Sequence, residues 1–283
     1  MLRLVPILFL VLFPMPVSAE KLIISEDEIN ETIISDHFSI ETTDNLFINW
    51  RKLNELMDRL DEQVFKEPKN ASIDEQGKII PEELGVRLDR MKFISLFQSF
   101  FYGKSSGKIT TPKKNVYPKV DSELLSEIRT SQLSSYETYY KESNKERTNN
   151  IELAAEAINN FVLFPGETFS FNNVVGKRTQ EKGYMRAPVI VKGELSEDIG
   201  GGICQVSSTL YNAVILQGIE IIERYSHSRE VPYVPPGKDA TVSWWGPDFV
   251  FKNRYSHPIL IRAKAENGSM FIEILSSIHV KEK

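Results

Sequence analysis

The sequence predicts an α+β fold in two successive modules, and three observations predict it. Stretches with apolar residues spaced by three and four alternate with short β-rich runs rather than with βαβ units. The chain ends in a strong hairpin signal, with Pro258–Ala265 and Ser269–Leu275 flanking Glu266-Asn267-Gly268. Its character changes near Ser131, and it holds neither an internal repeat nor a low-complexity tract. The expected layout is a leader over 1–19, an N-terminal module over 20–125, a second domain over 131–276 and a tail over 277–283. The second domain is expected to be built around a helix that starts at Gly200-Gly-Gly-Ile-Cys204.

Met1–Ala19 reads as a secretory signal, with Arg3 as the basic region, Leu4–Phe13 as the apolar core and Val17-Ser18-Ala19 as a small-residue cleavage site. Pro14, Pro16 and the shortness of the apolar run argue against a membrane span, which needs ~20 residues; an uncleaved anchor is the alternative. No cysteine near the cleavage site offers a lipid attachment point. The expected location is outside the cell.

Within the first module, Leu46, Trp50, Leu53, Met57, Leu60 and Val64 mark an amphipathic helix, with Asp44 as its cap. Ala71–Ile80 reads as a hairpin turning near Gly77. Asp89 caps a second helix, whose buried side is Phe93, Ile94, Phe97, Phe100 and Phe101. Lys108–Val116 reads as one strand and Asp121–Arg129 as a short linker helix.

In the second domain, Thr148-Asn-Asn150 is expected to cap a helix carrying Ile151, Ala154, Ala155 and Ile158. Phe164–Asn172 is strand-like behind a Pro-Gly turn, Ala187–Val191 is a buried-strand run, and Ile219–Glu223 is a strand. Asp198–Ala213 holds the single cysteine of the chain. Val206, Leu210, Ala213 and Val214 give it helical spacing, and Gly218 reads as the stop.

Cys204 thus falls in the first turn of a helix behind three glycines. Free amides and the helix dipole stabilise a negatively charged sulfur there, and the thiolate is the nucleophile. The glycines allow positive φ and a close backbone approach. The same stretch also admits a structural reading, because free cysteine is among the most buried residue types. A single thiol cannot close an internal disulfide, and in an exported chain that favours retention for reactivity.

Composition narrows the partners. The 34 basic and 39 acidic residues give −5, and loss of Arg3 with the leader leaves 33 against 39, or −6. That balance disfavours nucleic acid and anionic membranes as partners. His37, His227, His257 and His279 are scattered, no spacing suits zinc, and no cofactor or metal is expected. At 41% hydrophobic residues the chain can bury a proper core.

Residues ~60–125 resemble peptidoglycan-binding domain 4 through Ala71-Ser-Ile-Asp, Gly77, Glu83-Leu-Gly85-Val-Arg-Leu-Asp89 and Pro118-Lys-Val. Residues ~131–275 resemble a VanW domain over essentially its whole length. The matching segments include Pro165-Gly-Glu-Thr-Phe-Ser-Phe-Asn172, Gly176-Lys-Arg-Thr179, Gly200-Gly-Gly-Ile-Cys-Gln-Val-Ser207, Thr209-Leu-Tyr-Asn-Ala213, His227-Ser228 and Asp239-Ala-Thr-Val242. Ser208 departs from a frequent Thr. Some members of that family are understood as cysteine-dependent L,D-transpeptidases, so the resemblance implies Cys204 as nucleophile and peptidoglycan stem peptides as substrate.

Such chemistry needs a base near the thiol and a group to orient it. His227, in the matching His-Ser segment, is the expected base, with a hydrogen-bonded loop histidine as the plainer alternative. Asp239, expected just before a strand, is the expected orienter, or else an ordinary turn or strand-capping Asp. Gly201, Gly202 and Gln205 are the expected loop and oxyanion donors. Arg178 and Arg224 are expected to hold a substrate carboxylate. Tyr233, with Tyr184 and Trp244, is expected either to line the groove or to pack in the core. Three functions compete: a cysteine transpeptidase, a non-catalytic wall-binding or resistance accessory protein, and a cysteine hydrolase of wall peptides.

Overall fold

The computed structural model describes residues 20–26, 29–43, 46–103, 106–191 and 194–277. The leader, Asp44 and His279 lie outside them. The fold is α+β, and the chain divides into two compact units, Met1–Lys69 with Glu83–Pro118 and Asn70–Glu82 with Lys119–Lys283.

In the first unit, strands Lys21–Glu26 and Ile29–Ile34 pair antiparallel, and Gly107–Ile109 joins the former in parallel. The first helix is Trp50–Val64, shorter than the apolar spacing suggests. Residues just before it run extended, with Ile40 N donating to Phe47 O and Asn49 N to Phe38 O. Asn49 then caps the helix by accepting from Lys52 N. Leu53, Leu56, Met57 and Leu60 face the core, while Leu46 and Trp50 stay exposed. Asp89 does cap the second helix, Arg90–Gly103, through Lys92 N. Phe97 sits at the centre of its stripe, with Phe38, Phe93, Phe100 and Phe101 at 5.3–6.3 Å between ring centroids. The single strand expected over Lys108–Val116 is two, Gly107–Ile109 and Lys113–Val116. They are divided at Pro112, which lacks an amide for the ladder and whose carbonyl takes Asp89 N instead.

The hairpin Ser72–Ile73 with Ile79–Ile80 turns at Gly77, which has φ 81°. The sequence places it in the N-terminal module, whereas the structure places it in the second unit. Ala71 and Ile73 are buried with Leu125, Ile128, Leu260 and Leu275, and Arg262 donates to the carbonyls of Ile73 and Asp74. Ser122–Ile128 follows as a short helix capped by Asp121.

The second unit is organised on an antiparallel sheet with strand order Ser131–Tyr139, Ser269–Ser276, Ile259–Glu266, Phe161–Leu163. The terminal hairpin turns through Asn267 and Gly268, both at positive φ, as its turn chemistry requires. Helices Lys145–Ile158 and Ile203–Ala213 pack with this sheet around one core that includes Ile151, Val206, Leu210, Ile261 and Ile272. A smaller sheet pairs Thr168–Ser170, Val250–Asn253 and Ile219–Glu223, with Phe169 and Phe251 stacked at 4.8 Å.

Three local expectations need correction. Helix Lys145–Ile158 begins earlier, capped by Asn144, because Thr148 and Asn150 turn inward as buried residues. The Ala187–Val191 run is no core strand. It pairs only with Glu194–Ile199 as a ribbon, and of its described side chains only Ala187 is buried. Asp239 precedes no strand, since residues 224–249 cross the unit without regular structure.

Candidate active site

The three glycines differ in what they permit. Gly200 (φ 89°) and Gly202 (φ 112°) adopt left-handed backbone, which L side chains rarely adopt. Gly201 lies against a neighbouring backbone, and a Cβ there would stand 2.5 Å from Ala187 O. Asn150 clamps the loop from below. Its amide donates to Gly201 O and Met185 O, and its carbonyl oxygen accepts from Met185 N. Gly202 is the N-cap, so Cys204 is the second residue of the helix, where the amide has no intrahelical acceptor.

One face of this helix carries Cys204, Ser207, Ser208 and Asn212, at spacings of three, four and eight, and it holds residues 238–242 alongside. The Cys204 thiol donates to Val242 O at 3.4 Å, and Ser207 Oγ to Ala240 O at 2.6 Å. Ser208 Oγ accepts from Ala240 N at 2.9 Å, and Asn212 Nδ2 donates to Lys238 O at 2.7 Å. These bonds fix Asp239 in place, and Asp239 fixes His227. The carboxylate Oδ2 accepts from both the His227 amide and the ring Nδ1–H, each at 2.6 Å. The other imidazole nitrogen takes no part in that bond, and His227 lines the same cleft as Cys204 and interacts with it electrostatically.

The electrostatics follow from these contacts. Burial disfavours the imidazolium, but the hydrogen bonds and charges of Cys204 and Asp239 outweigh it and raise the His227 pKa above its ordinary value. Burial also opposes the Asp239 carboxylate. Its bonds to the His227 amide and ring prevail and lower its pKa. The side chains of both are less than a tenth exposed.

Cys204 and His227 line a cleft of about 420 Å³ together with Arg147, Arg178, Tyr233 and Trp245. Burial raises the Tyr233 phenol, with the nearby Cys204 acting in the same direction. Arg147 lies over the Tyr233 ring at 6.0 Å and donates to Gln205 Oε1 at 2.9 Å. Arg178 donates to Asn172 Oδ1 at 2.8 Å.

Several expected roles shift. Arg224 does not face the cleft. Its guanidinium donates to Asp239 O, Asp239 Oδ1 and Gly237 O and stacks on Tyr211 at 4.9 Å, so it braces Asp239. Gln205 has no free donor for an oxyanion. Its amide nitrogen bonds Gly202 O, and its side chain donates to Thr138 Oγ1 and Tyr139 O. Gly201 is sealed in the loop, and Tyr184 packs in the core. The Cys204 amide is the helix-end donor that remains. Sequence reasoning missed Arg147 and the Ser207/Ser208 latch. The run Ser207-Ser-Thr209 inside an apolar helix was the available signal, since such residues seek partners beyond the helix.

Comparison with known proteins gives a consistent picture. A family model described as VanW like protein matches residues 146–275. Uncharacterized protein YoaR of Bacillus subtilis (strain 168) is 54% identical over 246 residues, which is 87% of this chain and 81% of that protein. Vancomycin B-type resistance protein VanW of Enterococcus faecalis (strain ATCC 700802 / V583) is 34% identical over 99 residues, 33% of this chain and 36% of that protein. No solved structure matches the chain.

Proposed function

The chain belongs to the VanW family, and from that premise we propose that it is an exported cell-wall protein acting as a cysteine acyltransferase on peptidoglycan stem peptides. The specific reaction is L,D-transpeptidation. The observation that carries this reading is the placement of Cys204 beside His227 on one cleft, with the His227 ring hydrogen-bonded to Asp239 behind it. A nucleophile, a base and an orienter stand in the order that acyl transfer uses.

In the proposed reaction, Cys204 Sγ attacks the carbonyl between the third and fourth stem residues, and His227 takes the thiol proton. The Cys204 amide supports the oxyanion. The carbon–nitrogen bond breaks, His227 returns the proton to the departing D-Ala amine, and a thioester remains. An acceptor amine from a second stem attacks that thioester and loses its proton to His227, which passes it back to sulfur. The product is a 3-3 cross-link; water as acceptor gives a shortened stem instead. The resistance named for the VanW relative supports a wall-related role. The first unit is assigned a wall-binding role from its resemblance to peptidoglycan-binding domain 4, although Asn70–Glu82 of that resemblance belongs to the second unit.

The test is incubation of the purified protein with a tetrapeptide-stem muropeptide, with products followed by mass spectrometry beside Cys204→Ala. A Cys204-bound acyl adduct or a 3-3 dimer, absent in the variant, is expected. No turnover across several stem chemistries, with wall binding intact in both proteins, would instead support the accessory, non-catalytic reading.

A further inference from the structure

Two arginines flank the nucleophile, and among the described residues neither has a carboxylate within salt-bridge distance. Arg147 has only the neutral Gln205 amide and the Tyr233 ring, and Arg178 has only Asn172 and the face of Phe171. Arg178 Nη2 is buried without a hydrogen-bond partner. Burial is the largest influence on both guanidinium groups and pushes their pKa down, and the opposing charges, Tyr233 and Cys204 at Arg147 and Tyr184, Cys204 and Asp248 at Arg178, offset it only in part. A buried charge without an ion-pair partner at contact distance is costly, so a carboxylate that arrives from outside would be favoured there.

The backbone is built around these two side chains. The glycine loop passes between their stems. A Cβ on Gly202 would stand 3.0 Å from Arg147 Cγ, and one on Gly200 would stand 3.3 Å from Arg178 Cβ and Cγ. Both guanidinium groups interact electrostatically with Cys204, and both line the cleft.

We propose that Arg147 and Arg178 form an anion clamp beside Cys204 that selects acyl donors whose leaving residue ends in a free α-carboxylate. The inference rests on the acyl-transfer reading and narrows its substrate class. In a peptide whose carbonyl lies over Sγ, the α-carboxylate of a terminal leaving residue is two bonds beyond the scissile nitrogen. It therefore falls beside groups that flank the sulfur. Arg178 Nη2 supplies the unused donor, and a guanidinium fork matches a carboxylate in shape and charge. Arg224, committed to Asp239, takes no part.

The experiment compares a tetrapeptide stem ending in a free carboxylate with the same peptide ending in a carboxamide. Binding is measured to Cys204→Ala, so that no turnover is needed, and acyl-adduct formation is measured on the wild type. The expected result is tighter binding of the acid by at least about tenfold. Arg178→Met and Arg147→Met, which keep the stem against the loop, should erase most of that preference by weakening binding of the acid far more than binding of the amide. Equal binding of acid and amide to Cys204→Ala overturns the clamp without either Arg variant having to fold. Equal losses on both ligands in the Arg variants also overturn it, because they place the arginines on the backbone or the oxyanion. The two failures separate: acid preference without any adduct in the wild type would sink acyl transfer and leave the clamp standing, whereas adducts formed equally from acid and amide would do the reverse.

Discussion

The buried charges at His227 and Asp239 make this site measurable by pH. The His227 pKa is held above its ordinary 6.5 and that of Asp239 below its ordinary 3.8. A raised His contributes stability that is complete below its unfolded value and is lost as pH rises through the folded one. A lowered Asp contributes stability that is complete above its unfolded value and is lost as pH falls through the folded one. The pair therefore contributes fully between about pH 4 and pH 6.5, and less on either side. Urea unfolding of the wild type and of Asp239→Asn should differ most in that window, by about 1–3 kcal/mol, and the gap should narrow at pH 9. A gap independent of pH would mean that Asp239 acts only through its neutral hydrogen bonds. Cys204 stood out in the sequence as the single cysteine behind three glycines, while His227 and Asp239 were drawn from the resemblance, and the structure brings the three side chains to one place. The role of Arg224 was not legible, because a guanidinium serves a substrate carboxylate and a structural one equally well, and only its packing on Tyr211 and Asp239 decides.

The helix Ile203–Ala213 joins the loop, the nucleophile and the strip that carries Asp239, so its local errors should spread to the site. Gly201→Ala would press a methyl group against the backbone of Ala187 and Pro188. The expected cost is about 1–3 kcal/mol or more, with loss of Cys204 reactivity. Ser208→Ala is the gentler probe. It removes the partner of Ala240 N and loosens Asp239 while keeping the helix. Stability should fall by about 1–2 kcal/mol, and any turnover should fall further than the stability loss alone explains. A normal thiol alkylation rate in Gly201→Ala, or unchanged turnover in Ser208→Ala, would show that the loop and the latch do not position the site. The helix itself was readable from its apolar spacing, and the terminal hairpin from Asn267-Gly268. The sheet order was not, because strand partners such as Ser131–Tyr139 and Ser269–Ser276 are chosen by packing across long sequence separations that periodicity does not record.

At the scale of the molecule, the second unit includes a segment that lies in sequence between the two segments of the first. Asn70–Glu82 precedes Glu83–Pro118 in sequence yet belongs with Lys119–Lys283. It contributes Ala71 and Ile73 to the core, and two carbonyls to Arg262. A chain of residues 119–277 alone should be less stable than one that also carries 70–82, by about 3–5 kcal/mol from one Ile side chain and the lost hydrogen bonds. Both ends of the segment are tied to residues 119–122 of the same unit. Asn70 Oδ1 accepts from Lys119 N and Val120 N at 3.1 Å, and Glu82 Oε2 accepts from Ser122 N at 3.0 Å. A short linker from 82 to 119 should therefore close without strain. Residues 70–82 joined to 119–277 in this way should unfold cooperatively in urea and keep the thiol reactivity of the full chain. The 119–277 chain should unfold at lower urea concentration. Coincident unfolding of the two would mean that the segment merely rests on the unit, and the domain border would then return to the position read from the sequence.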